Sequence, residues 1–283
     1  MGTFTKNLSL YDMLSMIIPG GILLWMCSVY CKGLWSVSNG TASGHHELFA
    51  FLFLCPLAYI VGIGNHLITT KLWAMFRNNP YLIIDCLEKT KNQFSSTRKL
   101  EKIRNSFRIN PNRVDTCSAF IHYSFLTALG VVVLGIVLNM IFADMLNCLV
   151  FLYLGAAYGI IWMLTTSFCN SYSDEEEKKV IETYYEAYYY VQQKSKNSNI
   201  SVMEGQVAFM QSMSIPLALL AVSSCSLTAA SAYCTFRLIM FSLFIIIFPM
   251  VICRIRKIHS RVWEDYEFLS GMEENDQTKK YSP

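Results

Sequence analysis

The chain has 283 residues, 53% of them apolar and only 15% charged, with a net charge of +3. Its mean hydropathy is positive, at +0.35. A soluble domain usually carries about 25% charged residues, so this composition points to a membrane protein, and the small net charge gives no argument for nucleic acid as a partner.

Six stretches are apolar enough for lipid: residues 17–33, 48–69, 119–142, 146–168, 215–235 and 238–253. A bilayer core of about 30 Å takes roughly 20 helical residues, and such segments must be helical to bond their own backbone groups. The sequence therefore predicts an all-α, polytopic fold of about six spans in three hairpins, with a small helical cytoplasmic layer. The corresponding organisation is a first hairpin (1–72), a basic block (73–118), a second hairpin (119–169), an acidic Tyr-rich block (170–211), a third hairpin (212–260) and a tail (261–283). No room remains for a separate soluble enzyme domain of about 100–150 residues.

The opening residues lack a basic stretch followed by a small-residue cleavage site, so the first apolar segment is expected to be retained. Pro19 and Pro216 fall near span starts, where a missing N–H costs little, while Pro56 and Pro249 are the expected kinks. Asn65 and His66 lie toward one end of the second span, and His122 near the same level of the third. These three are candidate pore-lining or sensing residues, with an interfacial position as the alternative.

Positive charge marks the cytoplasmic side. Residues 71–115 hold ten Lys and Arg against Asp85, Glu88, Glu101 and Asp115, whereas loop 33–47 has none. Both termini are then cytoplasmic, and the membrane is the cell inner membrane. Arg237 would mark the last external turn, and because it leaves little of one, a five-span arrangement with a re-entrant final hairpin is the alternative. Residues 81–101 read as a helix begun by Pro80, and Asn110-Pro111-Asn112 as a turn into the third span. Ser173 and Glu176 resemble a capping box for a helix running to Lys196, followed by a break through Asn199.

That second block carries Tyr184, Tyr185, Tyr188, Tyr189 and Tyr190. Five tyrosines in seven positions occupy more than one helix face, so they serve either packing on a neighbouring helix or a partner surface. Tyr184, Tyr185, Tyr188 and Tyr189, with Arg104 and Arg108, are the candidate partner surface. The blocks are opposite in charge and are expected to pair, within a chain or between chains. Gly155 and Gly159 form a GxxxG match, and Ala221, Cys225 and Ala229 share a stripe; both suit helix packing or a homo-oligomer.

Tests for catalysis fail: no HExxH, GxSxG, Walker A or GxGxxG pattern is present. Arg254 and His259 fit an R-x4-H spacing that resembles the ribonuclease signature of HEPN proteins, yet they directly follow a span, where basic residues anchor helix ends. His45-His46-Glu47 reads as a solvated turn, and the ten cysteines as small buried hydrophobes. No catalytic residue, metal or cofactor is expected.

The segment Tyr11-Asp12-Met13-Leu14-Ser15-Met16-Ile17-Ile18-Pro19-Gly20 resembles the start of small multi-pass membrane accessories and effectors of bacterial antiviral defence systems. That resemblance implies a component that perturbs the inner membrane or regulates a cytosolic nuclease. Locally, Tyr11 and Asp12 could start a short interfacial helix, with Pro19-Gly20-Gly21 turning the chain into the span. The expected function is a non-enzymatic, oligomeric, membrane-perturbing or channel-like effector. A poreless membrane anchor or regulator of a cytosolic protein is the alternative, and a small-solute transporter comes third. The lipid bilayer, further copies of the chain and a cytosolic protein are the expected partners.

Overall fold

The computed structural model describes residues 10–30, 45–93, 98–107, 111–141, 158, 175–195, 199–223 and 231–280. Among them the regular structure is entirely helical: α1 Leu10–Tyr30, α2 His45–Arg77, α3 Pro80–Gln93, α4 Arg98–Asn105, α5 Pro111–Ile141, α6 Glu175–Lys194, α7 Ile200–Ser223 and α8 Ser231–Lys280. Proline opens α3 and α5, where its missing N–H is one of the unbonded donors anyway. Asn79 Oδ1 caps α3 by accepting from the Tyr81 and Leu82 amides at 3.0 and 3.2 Å.

Several sequence expectations are revised. The expected 81–101 helix is two helices, α3 and α4. Pro19 lies inside α1, which runs on past Gly20 and Gly21, so no turn separates an interfacial helix from the apolar stretch. Pro216 lies inside α7 rather than at its start. Arg237 is within α8, a helix of 50 residues that continues to Lys280 through the expected tail. The fourth span and Ser173 fall almost wholly outside the described residues.

One helix among the described residues, α8, is long and apolar enough to cross a membrane. Shorter apolar segments are Leu14–Cys27 in α1 and Leu126–Val137 in α5.

The chain divides into two compact units. Unit 1 comprises Met1–Trp73, Ala128–Gly159 and Gly205–Val251; unit 2 comprises Ala74–Thr127, Ile160–Glu204 and Ile252–Pro283. Unit 1 turns many aliphatic side chains outward, while its interior mixes apolar residues such as Leu217, Phe241, Ile245 and Val251 with polar ones. Leu57, Ile60, Ile68 and Leu72 of α2, Val133 and Val137 of α5, and Leu243 and Met250 of α8 are exposed. Ser15, Asn65, Thr69, Gln211, Ser212 and Ser214 are buried. Lys71 is the sole Asp, Glu, Lys or Arg among the described side chains of this unit.

Within unit 1, α1 and α2 cross at backbone contact. A methyl group on Gly20 would overlap the Ala58 carbonyl oxygen, and one on Gly62 would overlap the Met16 carbonyl oxygen. Small residues allow this approach, which gives dispersion contact between helices where lipid removes the hydrophobic driving force. Elsewhere Trp73 and Phe248 stack with ring centroids 5.0 Å apart, and Phe244 and Tyr158 meet Phe248 edge-on at 5.4 and 6.3 Å.

Unit 2 is an ordinary helical core. α3 buries Ile83, Cys86, Leu87 and Thr90, α6 buries Val180, Tyr184, Ala187, Tyr188 and Val191, and α8 buries Ile252, Ile255, His259, Val262 and Trp263. The α6 and α8 sets recur at spacings of three and four, the stripe of an amphipathic helix, whereas α3 is buried all round from Tyr81 to Leu87.

Gly62→Leu should lower stability by about 3 kcal/mol or more through overpacking at the α1–α2 crossing. Gly21→Ala, where added atoms meet nothing within 4 Å, should be neutral or stabilising. Thermal melts of the detergent-solubilised chain measure both.

Candidate functional site

Two polar constellations are formed by side chains the sequence singled out, one in each unit. In unit 1, Asn65 Nδ2 donates to the Ser212 carbonyl at 2.7 Å, and His66 Nδ1 lies 3.0 Å from Ser212 Oγ. The carbonyl can only accept, so it fixes which end of the Asn65 amide faces α7. Asn65 Oδ1 is buried without a hydrogen-bond partner. Thr69 Oγ1 returns to its own helix, donating to the Asn65 and His66 carbonyls at 2.9 and 3.1 Å. His66 Nε2 lies 3.4 Å from Thr70 Oγ1. Asn65 and His66 thus join two helices. The side chains of His122 and Ala221 lie outside the described residues, as do Gly155, Gly159, Cys225 and Ala229.

In unit 2, the tyrosine-rich α6 divides its phenols among different tasks. Tyr184 and Tyr188 are buried, Tyr185 is half-buried and Tyr189 is exposed. Tyr184 meets His259 and Trp263 edge-on at 4.8 and 5.8 Å. Tyr185 donates to Asn78 Oδ1 at 2.8 Å. The Tyr188 hydroxyl donates to Glu204 Oε2 at 2.9 Å and accepts from Gln192 at 2.6 Å. Glu204 Oε1 pairs with Arg77 at 2.5 Å. Burial pushes the Tyr184 phenol well above its ordinary range; burial, then the Glu204 carboxylate, does the same to Tyr188. Both remain hydrogen-bond donors at any physiological pH.

The charged blocks meet through few ions. Arg77–Glu204 joins them, and the Tyr81 phenol donates to the buried Glu177 carboxylate. The other ion pairs of the basic block lie within it, except that Asp85 also receives Arg256 from α8. Lys89 and Arg256 hold Asp85 at 2.8 and 2.5 Å, Lys91 meets Glu101 at 3.4 Å, and Arg104 meets Glu88 at 2.9 Å. Arg104 is therefore tied within its own block, while Arg108 lies outside the described residues. The more exposed of these pairs are worth at most about 1 kcal/mol each, so they set orientation more than stability.

His259, the histidine of the R-x4-H spacing, is 1% exposed. It lies beyond the apolar part of α8, past Arg254, Arg256 and Lys257. Burial drives its imidazole down to about 3; the Arg77 guanidinium adds to this, and a hydrogen bond to the Arg77 backbone opposes it. Nδ1 has no hydrogen-bond partner, so Nε2 is the donor and the ring is neutral. Trp263 Nε1 donates to the Ile83 carbonyl at 3.3 Å beside it. An enclosed, neutral imidazole holds helices together and presents nothing to a substrate. Cys86 is similarly enclosed: its thiol donates to the Arg256 carbonyl at 3.4 Å, and burial pushes it up to about 12, leaving no thiolate to react. Among the described residues no group of three or more His, Cys, Asp or Glu could hold a metal ion.

Sequence reasoning missed Asn78, Asn79, Gln192, Glu204 and Ser212. All are polar, and all but Gln192, which donates to Tyr188 on its own helix, have partners on other helices or across a turn. The available signal was Asn79 before Pro80, a capping residue ahead of a helix-starting proline.

The histidine makes stability depend on pH. Its unfolded value of 6.5 exceeds the folded one of about 3, so the unfolded chain binds more protons between them. Stability is complete above pH 6.5 and falls as the pH drops, at a limiting slope of about 1.4 kcal/mol per unit. His259→Phe should flatten melting temperature against pH from 6.5 down to where carboxylates titrate.

No protein-family model, curated protein or solved structure matches this chain.

Proposed function

We propose that this chain is a multi-pass inner-membrane protein whose apolar unit anchors a charged helical unit in the cytoplasm. There it regulates, or is regulated by, a cytosolic protein. The observation that carries this reading is the broad aliphatic surface of unit 1, with serine, threonine and asparagine side chains buried behind it and Lys71 its single described charge. Water would leave that surface unsatisfied, whereas lipid solvates it and drives polar side chains into mutual contact. The six spans and the cytoplasmic placement of both termini belong to this proposal.

The poreless form is supported by the use already made of the inward polar groups. Asn65 and Ser212 bond to each other, and Thr69 and Ser214 bond to their own helices. Neither the defence setting implied by the opening segment nor further copies of the chain are needed for this role, and both are compatible with it. The surface offered to a partner centres on exposed Tyr189 and half-buried Tyr185, since Tyr184 and Tyr188 belong to the core.

The expressed chain should stay in the membrane pellet through alkaline carbonate extraction. Impermeant thiol labelling should miss a cysteine placed at exposed position 178 and reach one placed at position 40. Release by carbonate would overturn the membrane reading. Depolarisation of cells on induction, with the protein membrane-integrated, would replace the poreless anchor with the channel-like effector.

A further inference from the structure

The bond between Asn65 and Ser212 falls at a particular place in α7. Proline has no N–H, and its ring presses on the carbonyl four residues earlier. Pro216 is inside α7, so the carbonyl deprived of its helical donor is that of Ser212. The donor it receives is the Asn65 amide, from 147 residues away in sequence. Ser212 is fully buried, so solvent cannot take over this task. His66, the next residue of α2, holds the Ser212 side chain as well. Two adjacent side chains of one helix therefore converge on the turn that a proline has opened in another.

We propose that Pro216 is a hinge in α7 and that Asn65 is the latch that closes it. With the latch made, the turn 212–216 is bonded and the two parts of α7 behave as one helix. With the latch broken, the Ser212 carbonyl is unpaired, and residues 217–223 are free to tilt against the part that precedes the proline. A proline kink requires some such outside donor, and a donor on a different helix makes the bend conditional on where that helix lies. α7 then has two arrangements, and the contact with α2 selects between them. The hinge does not depend on which partner the charged unit receives.

Hydrogen exchange of the full chain in lipid nanodiscs, read by mass spectrometry over α7, tests this. Asn65→Ala should speed exchange at 212–223 about tenfold, the factor that corresponds to roughly 1.4 kcal/mol, and leave α5 unchanged. Pro216→Ala restores the missing N–H and should slow exchange there below the wild-type rate. In the doubly substituted chain the Asn65→Ala effect should vanish, because Ser212 no longer needs an outside donor. The hinge is overturned if Asn65→Ala changes nothing, if its effect survives in the Pro216→Ala background, or if Pro216→Ala alone fails to slow exchange. Should Asn65→Ala not fold, the Pro216→Ala chain and the double substitution still decide.

Discussion

Polar groups withdrawn from water must be bonded inside the protein, and both units are organised by that constraint. In unit 1 most of the backbone meets it by helix formation, and the carbonyl freed by Pro216 meets it through Asn65. In unit 2 the same demand places the Trp263 indole on the Ile83 carbonyl, His259 on the Arg77 backbone and the Tyr81 phenol on Glu177. The difference between the units lies in what faces outward. Unit 1 turns out its aliphatic side chains, and unit 2 turns out its lysines and glutamates.

Local chemistry was legible in the sequence. Pro80 begins a helix and the Lys194–Asn199 stretch ends one, as expected, whereas Asn110-Pro111-Asn112, expected as a turn, has Pro111 as the first residue of α5. The extent of α8 was not legible, because charge after Cys253 excludes lipid but does not exclude helix. Arg237 was read as a turn for the same reason. The tyrosines of α6 are divided between core and surface by partners in the turn after α2 and on α7 and α8, which no local pattern encodes.

The Asn65 contact was the hardest to foresee and the most consequential for the site. Asn65 was recognisable as a polar residue in an apolar stretch, and Pro216 as a helix breaker in another. Nothing in spacing links positions 147 residues apart. Only the count of backbone donors and acceptors does: an internal proline predicts an orphan carbonyl, and an intramembrane amide is a natural donor for it. The R-x4-H spacing teaches the converse. His259 has the right neighbours in sequence, yet its surroundings make it a neutral core residue.

The two units are interleaved along the chain. Each is assembled from three separated segments, and α8 supplies Phe241 and Ile245 to one core and Trp263 and Val262 to the other. During synthesis, therefore, neither core can close until the ribosome has delivered α8. The early helices must wait with their contact faces unfilled, at the stage when partly folded chains are most exposed to misassembly. A premature stop anywhere before α8 would spare neither unit, and no contiguous fragment carries one of them intact.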